Sequence, residues 1–377
     1  MTEFARLTGL SPTSSAPRRY LWTDAFGVCN FLGLYHETGG REFKDLALQL
    51  VDQVHGVLGR HRHDDHRTGW ISGLDEEGGR RHPTQGGLRI GKPLKERRPS
   101  DSFSERLEWD RDGQYYHYLT KWMHALNRVT KVTGDSTYNR WAMELAKTAH
   151  IKFVSAPSSD SHKRMYWKMS IDLSYPLVAS MGLHDPLDGL ITYSQLQATA
   201  AEDPQYSAKD LRAETVDMAD MCKGKSWTTD DPLGIGGLLS DAFRVAQLMV
   251  KGYFAQTGLL RDLLEASLEG LNAFAREDSL SLPAAYRLAF RELGLSIGLG
   301  AVERLRELVG RNQQPFGKGH DLRAQMKALK PYEAIKKVID KFWLQSECQE
   351  AESWKAHRDI NMVMLATSLS PDGFLTL

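Results

Sequence analysis

Apolar positions recur along this chain with a helical period, in runs that come in pairs. Between residues 21 and 58, Leu21, Phe26, Val28, Phe31, Leu32 and Tyr35 form one wide stripe, and Phe43, Leu46, Leu50, Val54 and Leu58 form a second. Thr38-Gly39-Gly40 separates them, and so short a glycine turn forces two antiparallel helices. The same grammar returns over 115–153, broken at Thr133-Gly134-Asp135. A third pair is predicted to open at His184-Asp185-Pro186-Leu187-Asp188-Gly189, with a partner near 208–222. A fourth opens at Asp230-Asp231-Pro232-Leu233-Gly234 and returns through LLRDLLEASLEGLNAFA. The fifth opens at Pro283 with a return helix around 321–345, and the sixth near Trp354 as WKAHRDINMVMLATSL. Either the N-terminal segment or residues 331–345 must supply the sixth partner. Proline near several of these starts suits a first helical turn, where its missing N–H costs nothing.

Hairpins of this length cannot bury their apolar faces alone, so neighbours must stack. The first helix of each pair is the more apolar, aromatic and glycine-rich, which suits an inner barrel wrapped by an outer ring. Polar capping repeats are lacking at either end, which favours closure over an open solenoid. The expectation is therefore an all-α fold, an (α/α)6 toroid of six helical hairpins forming a single domain over 1–377. Residues 59–113 break the pattern. They hold no sustained helical period yet contain Trp70, Ile71, Leu74, Leu88, Ile90, Phe103 and Trp109, too many anchors for a free tail. They read as an ordered lid or wall insertion over one mouth. Strands should make up under about a tenth of the chain, mostly within this segment.

Composition narrows the classes of function. Lys+Arg and Asp+Glu both number 48 in 377 residues, so no global field draws in nucleic acid or an anionic membrane. No unbroken run of about 18 apolar residues marks a membrane span, and the first twenty residues lack the apolar core of a secretory signal. Cys29, Cys222 and Cys348 are odd in number and scattered, as reduced thiols would be. A cytoplasmic location is expected, with no cofactor and no metal. The His61, His63, Asp64, Asp65, His66 cluster has metal-capable atoms without the framing of a helical zinc motif. Gly86 to Lys92 lacks phosphate-loop spacing.

Six hairpins, with Trp22-Thr23-Asp24-Ala25-Phe26 opening the first and Thr-Gly turns, make the chain resemble the six-hairpin glycosidase superfamily from Trp22 to Phe374. Within it, Trp354-Lys355-Ala356-His357-Arg358 is similar to the Trp-Lys-x-x-x-His region of N-acylglucosamine 2-epimerase relatives, displaced by one residue. Gly236-Gly237-Leu238-Leu239-Ser240-Asp241 occupies the place of that family's second histidine motif without the histidine, and His184 is the nearest candidate. The resemblance implies a central cavity at the inner-helix N-termini and chemistry on sugars.

Polar groups on otherwise apolar inner helices are expensive to bury unless paired or used. Asp110 precedes the second pair; His117, Lys121 and His124 share a face of its first helix. Asp185 and Asp188 open the third pair, Asp231 the fourth. Arg287 and Arg291 share a face of the fifth, and His357 and Asp359 mark the sixth. Trp22, Trp109, Tyr115, Tyr116, Trp122, Trp167, Trp227 and Trp354 are candidate platforms for sugar rings, Asp24, Lys121 and the arginines candidate polar contacts. A pair of acids at the mouth, Asp188 or Asp185 with Asp359, and Asp110 and Asp231 as alternates, would serve glycoside hydrolysis. His357 and His184 exchanging a proton next to a carbonyl would instead serve an epimerase or isomerase. A toroid that only binds a ligand or partner is the third reading. The same residues have structural uses: Asp before Pro is a common helix cap, and the aromatics can be core. The expected partner is a small molecule, a sugar or glycoside. The excess of ten Lys/Arg over six Asp/Glu between Arg60 and Arg98 points to an anionic group on it.

Overall fold

A computed structural model of the chain describes residues 1–155, 163–203, 210–255, 257–312, 314–316 and 320–377. Its residues gather into two compact units, Thr2–Lys223 and Gly224–Leu377.

The first unit holds three helical hairpins. They are α1 (Leu21–Thr38) with α2 (Arg41–Leu58), α3 (Tyr116–Thr133) with α4 (Thr137–Phe153), and α5 (Asp185–Ala201) with α6 (Arg212–Cys222). Residues 208–209 of the expected third partner lie outside the described residues. Gly39 ends α1 at φ 71°, its N–H bonded to Tyr35 O, and Gly134 ends α3 at φ 77° on Thr130 O. Only glycine enters that left-handed region without strain, so both turns are written in the sequence. The first helices are buried nearly all round; on α2 burial is confined to a stripe of Ala47, Leu50, Val51, Val54, His55 and Leu58. Inside, a polar ladder ties α3, α4 and α5: His124 to Gln195, Gln195 to Asn127, and Asn127 to Asn139 and Thr199. Each buried group thereby regains the hydrogen bonds it gave up with water.

Among the described residues, five short strands lie in this unit: β1 (Gln114–Tyr115), β2 (Val154–Ser155), β3 (Arg164–Met165), β4 (Lys168–Met169) and β5 (Pro176–Val178), ordered β1-β4-β5 and β2-β3. The expectation that strands fall mainly in 59–113 is thus corrected. Strand pairing in that segment is limited to isolated bridges, Arg60 with Trp70 and Leu94 with Arg111, beside two short helices, Glu76–Arg81 and Glu105–Asp110. Side chains satisfy its backbone instead of a ladder. Buried Asp112 accepts from Gly91 N and Lys92 N and from the guanidiniums of Arg62 and Arg89. Trp70, Leu88 and Ile90 are buried, while Phe103 and Trp109 stay half exposed or more. Leu21 N donates to Ile90 O and Ile90 N to Gly113 O, which pins the segment to the starts of α1 and α3.

The second unit contains α7 (Pro232–Val250), α8 (Thr257–Arg276), α9 (Ala289–Arg311), α10 (His320–Leu329), α11 (Glu333–Trp343) and α12 (Arg358–Leu369). Helix α7 is long and apolar enough to cross a membrane, but most of it is buried as a core helix. It meets α9 at glycines: a Cβ on Gly236 would fall 2.0 Å from Gly294 O, and one on Gly298 2.4 Å from Gly236 O. The fifth pair does not open at Pro283. A 3-10 turn covers Ala284–Tyr286, Arg287 is extended, and α9 begins at Ala289. The cause is the buried Arg287 guanidinium, held by both Glu292 oxygens and by Leu280 O. The three cysteines form no disulfide.

Candidate functional site

The starts of α1, α3 and α5 carry the densest gathering of polar and aromatic groups in the first unit. Trp22 is the second residue of α1 and His117 the second of α3. Asp185 and Asp188 sit in the first turn of α5. Tyr115 is held extended by pairing with Lys168 across β1 and β4, and that register carries Trp167 alongside.

His117 is enclosed by rings. Trp167 stacks on it at 6.1 Å between centroids and 14° between planes, Tyr115 at 5.3 Å and 29°. Tyr118 and Trp22 meet it edge-on at 4.9 and 6.1 Å. Tyr118 is fixed by a 2.7 Å hydrogen bond between its hydroxyl and that of Tyr20. The Trp22 indole N–H is buried with no acceptor among the described residues. Facing the imidazole, Asp185 Oδ1 lies 3.7 Å from His117 Nδ1, beyond hydrogen-bond reach. Asp188 Oδ1 accepts from Lys121 Nζ at 2.9 Å.

Beneath the rings, Lys168 is fully buried under Tyr115 and donates three 2.8 Å bonds, to Glu108 O, Glu108 Oε1 and Arg111 O. Asp112 locks the adjoining segment as described above. The site therefore rests on groups with their hydrogen bonds met, which limits how far its rings can shift.

Burial sets the protonation of the two central groups in opposite senses. It pulls the His117 imidazole down to about 4, the Asp188 charge opposing and Lys121 adding. It pushes the Asp185 carboxyl up to about 8; Asp188 adds to this, while Gly182 N–H and Lys121 oppose it. Near neutrality His117 is an unprotonated base and Asp185 a protonated acid. Two titratable groups driven apart in this way have the protonation states that acid/base chemistry requires.

Of the expected site residues, the structure brings together Trp22, Tyr115, His117, Lys121, Asp185 and Asp188, with Trp109 edge-on to Trp167 at the rim. His184 occupies the cap position of α5, half-buried and without a side-chain cap bond. Asp110 is exposed. Four of the expected contacts are instead interior and partnered within the fold. Asp24 holds Arg19 and Tyr20 N; Trp122 donates to His55 Nε2; Arg287 is paired with Glu292; Trp354 stacks on Trp343. In the second unit, Asp231 stands at the cap of α7 but spends its carboxylate on Arg291 at 2.7 Å. His357 is exposed, edge-on to Phe290, and Asp359 is half-buried at the start of α12. Sequence reasoning missed Tyr20 and Tyr118, although the Tyr115-Tyr116-His117-Tyr118 run was a signal. Among the described residues no cluster of three His, Cys, Asp or Glu is placed to hold a metal.

No family model matches the chain, and no curated protein matches its sequence. Solved structures do resemble it. A sugar epimerase from a ruminal bacterium aligns over 93% of this chain and 87% of its own, with TM-score 0.51 and 10% identity. Cellobiose 2-epimerase from Bacillus thermoamylovorans aligns over 93% and 88%, with TM-score 0.50 and 10% identity. The cellobiose 2-epimerase of Spirochaeta thermophila aligns over 96% and 89%, with TM-score 0.51 and 13% identity. The fold class is therefore the all-α (α/α)6 fold of six helical hairpins, shared with these epimerases.

Proposed function

We propose that the protein is a carbohydrate-active enzyme that epimerises or isomerises a sugar by moving a proton at the carbon beside a carbonyl. The observation that carries this is the 3.7 Å approach of His117 to Asp185 within an aromatic enclosure, the two groups held in opposite protonation states. Neutral His117 takes the proton from carbon, Asp185 gives its proton to the carbonyl oxygen, and an enediol results. The Lys121 ammonium, oriented by Asp188, faces the negative charge that develops on oxygen. Return of the proton from His117 after the enediol has turned its other face to the imidazole inverts the carbon, return to the neighbouring carbon interconverts aldose and ketose, and in either case Asp185 recovers its proton from the enediol oxygen. Trp22 and Trp167 present flat faces suited to the C–H side of a sugar ring. The solved relatives of this fold are named as epimerases of sugars and of cellobiose, which supports the same substrate class.

Glycoside hydrolysis is the second reading, favoured by the raised carboxyl of Asp185 beside Asp188, since a protonated acid also serves a departing glycosidic oxygen. Product analysis of the purified protein with reducing mono- and disaccharides separates the two. Appearance of a C2-epimer or ketose with linkages intact supports isomerisation. Release of monosaccharide from a disaccharide, with no epimer formed, replaces it by hydrolysis.

A further inference from the structure

The second unit carries a cleft that the reaction does not use. It has a volume of about 340 Å³ and is lined by Arg306, Arg323, Met326, Lys327 and Lys330. Four of these five residues are cationic, and the lining contains no carboxylate among the described residues. Arg323, Lys327 and Lys330 fall four and then three residues apart along α10 and the 3-10 turn that follows it, so they share one helical face. Arg306 reaches in from α9, steadied by Glu333 at 2.8 Å. Met326 is buried and forms an apolar floor.

The helix that carries the lysines is itself fixed. Gln325 Nε2 donates to Arg261 O on α8, and Tyr332 Oη to Asn272 Oδ1 on the same helix. Cations gathered around one void repel each other, and with the Glu333 carboxylate answering Arg306 but no ion pair at Arg323, Lys327 or Lys330 among the described residues, the arrangement is stabilised by an anion. A single carboxylate or halide meets one or two of the four. Two or three linked phosphates carry the charge to answer several of them, with guanidiniums supplying paired N–H donors and ammoniums point charges. The volume is that of a small-molecule site rather than a track for a polymer.

We propose that this cleft binds a compact polyphosphate: a small molecule bearing at least two linked phosphates, held by Arg306, Arg323, Lys327 and Lys330. The inorganic and nucleotide forms share this chemistry and are separated by the test.

Titration calorimetry on the full chain at about 0.15 M salt is run with inorganic pyrophosphate, tripolyphosphate, adenosine triphosphate and orthophosphate. Saturable one-site binding of pyrophosphate or tripolyphosphate, at least about tenfold tighter than orthophosphate, is the expected result. Tighter binding of adenosine triphosphate than of tripolyphosphate assigns the nucleotide form, and equal binding the inorganic one. The double variant Arg323→Ala/Lys327→Ala should lose at least about tenfold in affinity with its ligand-free melting temperature unchanged or raised. The control Arg41→Ala/Lys44→Ala removes two cations of the first unit and should bind as the parent. No saturable heat overturns the proposal. So does equal weakening in both double variants, or binding only to single-stranded nucleic acid.

Discussion

His117 and Asp185 are ordinary residues placed where water cannot hold their ordinary charges, and their behaviour against pH follows from that placement. The proposed reaction needs His117 unprotonated and Asp185 protonated, so the rate should rise through about pH 4 and fall through about pH 8. Lys121 lowers the Asp185 value by its positive charge. Lys121→Met should therefore carry the upper limb to higher pH, which a pH–rate profile of the variant would reveal. Stability moves in the opposite sense. An unfolded Asp ionises near 4, whereas the buried one holds its proton to about 8, so Asp185 weakens the fold increasingly as pH rises across that window. Asp185→Asn keeps an acceptor for Gly182 N and should melt above the parent at pH 8, with the gap closing toward pH 4. A variant that melts lower at every pH would mean that Asp185 acts as a structural bond and not as a buried acid.

His55 shows the same physics without chemistry. It is fully enclosed, accepts the Trp122 indole N–H, and is pulled by burial to about 3. The unfolded chain binds a proton there below about 6.5 while the folded one does not, so its contribution to stability is present above that pH and is lost as pH falls toward 3. His55→Gln, which still accepts from Trp122, should flatten the decline in melting temperature between pH 7 and pH 5.

At the scale of elements, the sequence is most legible where one residue type alone fits. Thr38-Gly39-Gly40 and Thr133-Gly134-Asp135 announced the ends of α1 and α3 because a left-handed cap excludes side chains with a Cβ. The same exclusion acts between helices, where Gly236 and Gly298 let α7 and α9 touch backbone to backbone. Gly298→Val should cost about 1–3 kcal/mol or more in urea unfolding, as overpacking does. A second tie in that unit, where Ser296, Lys336, Asp340 and Ser368 bond one another across α9, α11 and α12, carries no sequence signature. The start of α9 was misplaced because Pro283 imitates a first-turn proline, whereas the Arg287–Glu292 pair that holds the chain extended is visible only in three dimensions. Trp167 was quoted merely as one aromatic among eight. Its position over His117 depends on pairing Tyr115 with Lys168, and strands of two residues leave no period to read.

At the scale of the whole molecule, six helical hairpins were readable from periodicity, and the (α/α)6 fold they specify is shared with sugar epimerases at 10–13% identity. Identity so low transmits the fold and not the reaction, because one fold carries many chemistries. Which acids or bases act was correspondingly obscure. Candidates were spread over the predicted helix starts, and only packing shows that Asp24 and Arg287 are sealed ion pairs while His117 Nδ1 and Asp185 Oδ1 approach to 3.7 Å. The central claim is that this pair moves a proton at carbon. Its most direct test is wash-in of solvent deuterium, followed by NMR during incubation of a reducing sugar substrate in deuterium oxide. The parent protein should place deuterium at the carbon beside the carbonyl, and His117→Gln should slow this by about 10²–10⁴-fold with its melting curve retained. Turnover without deuterium at that carbon, or undiminished exchange in His117→Gln, would contradict it.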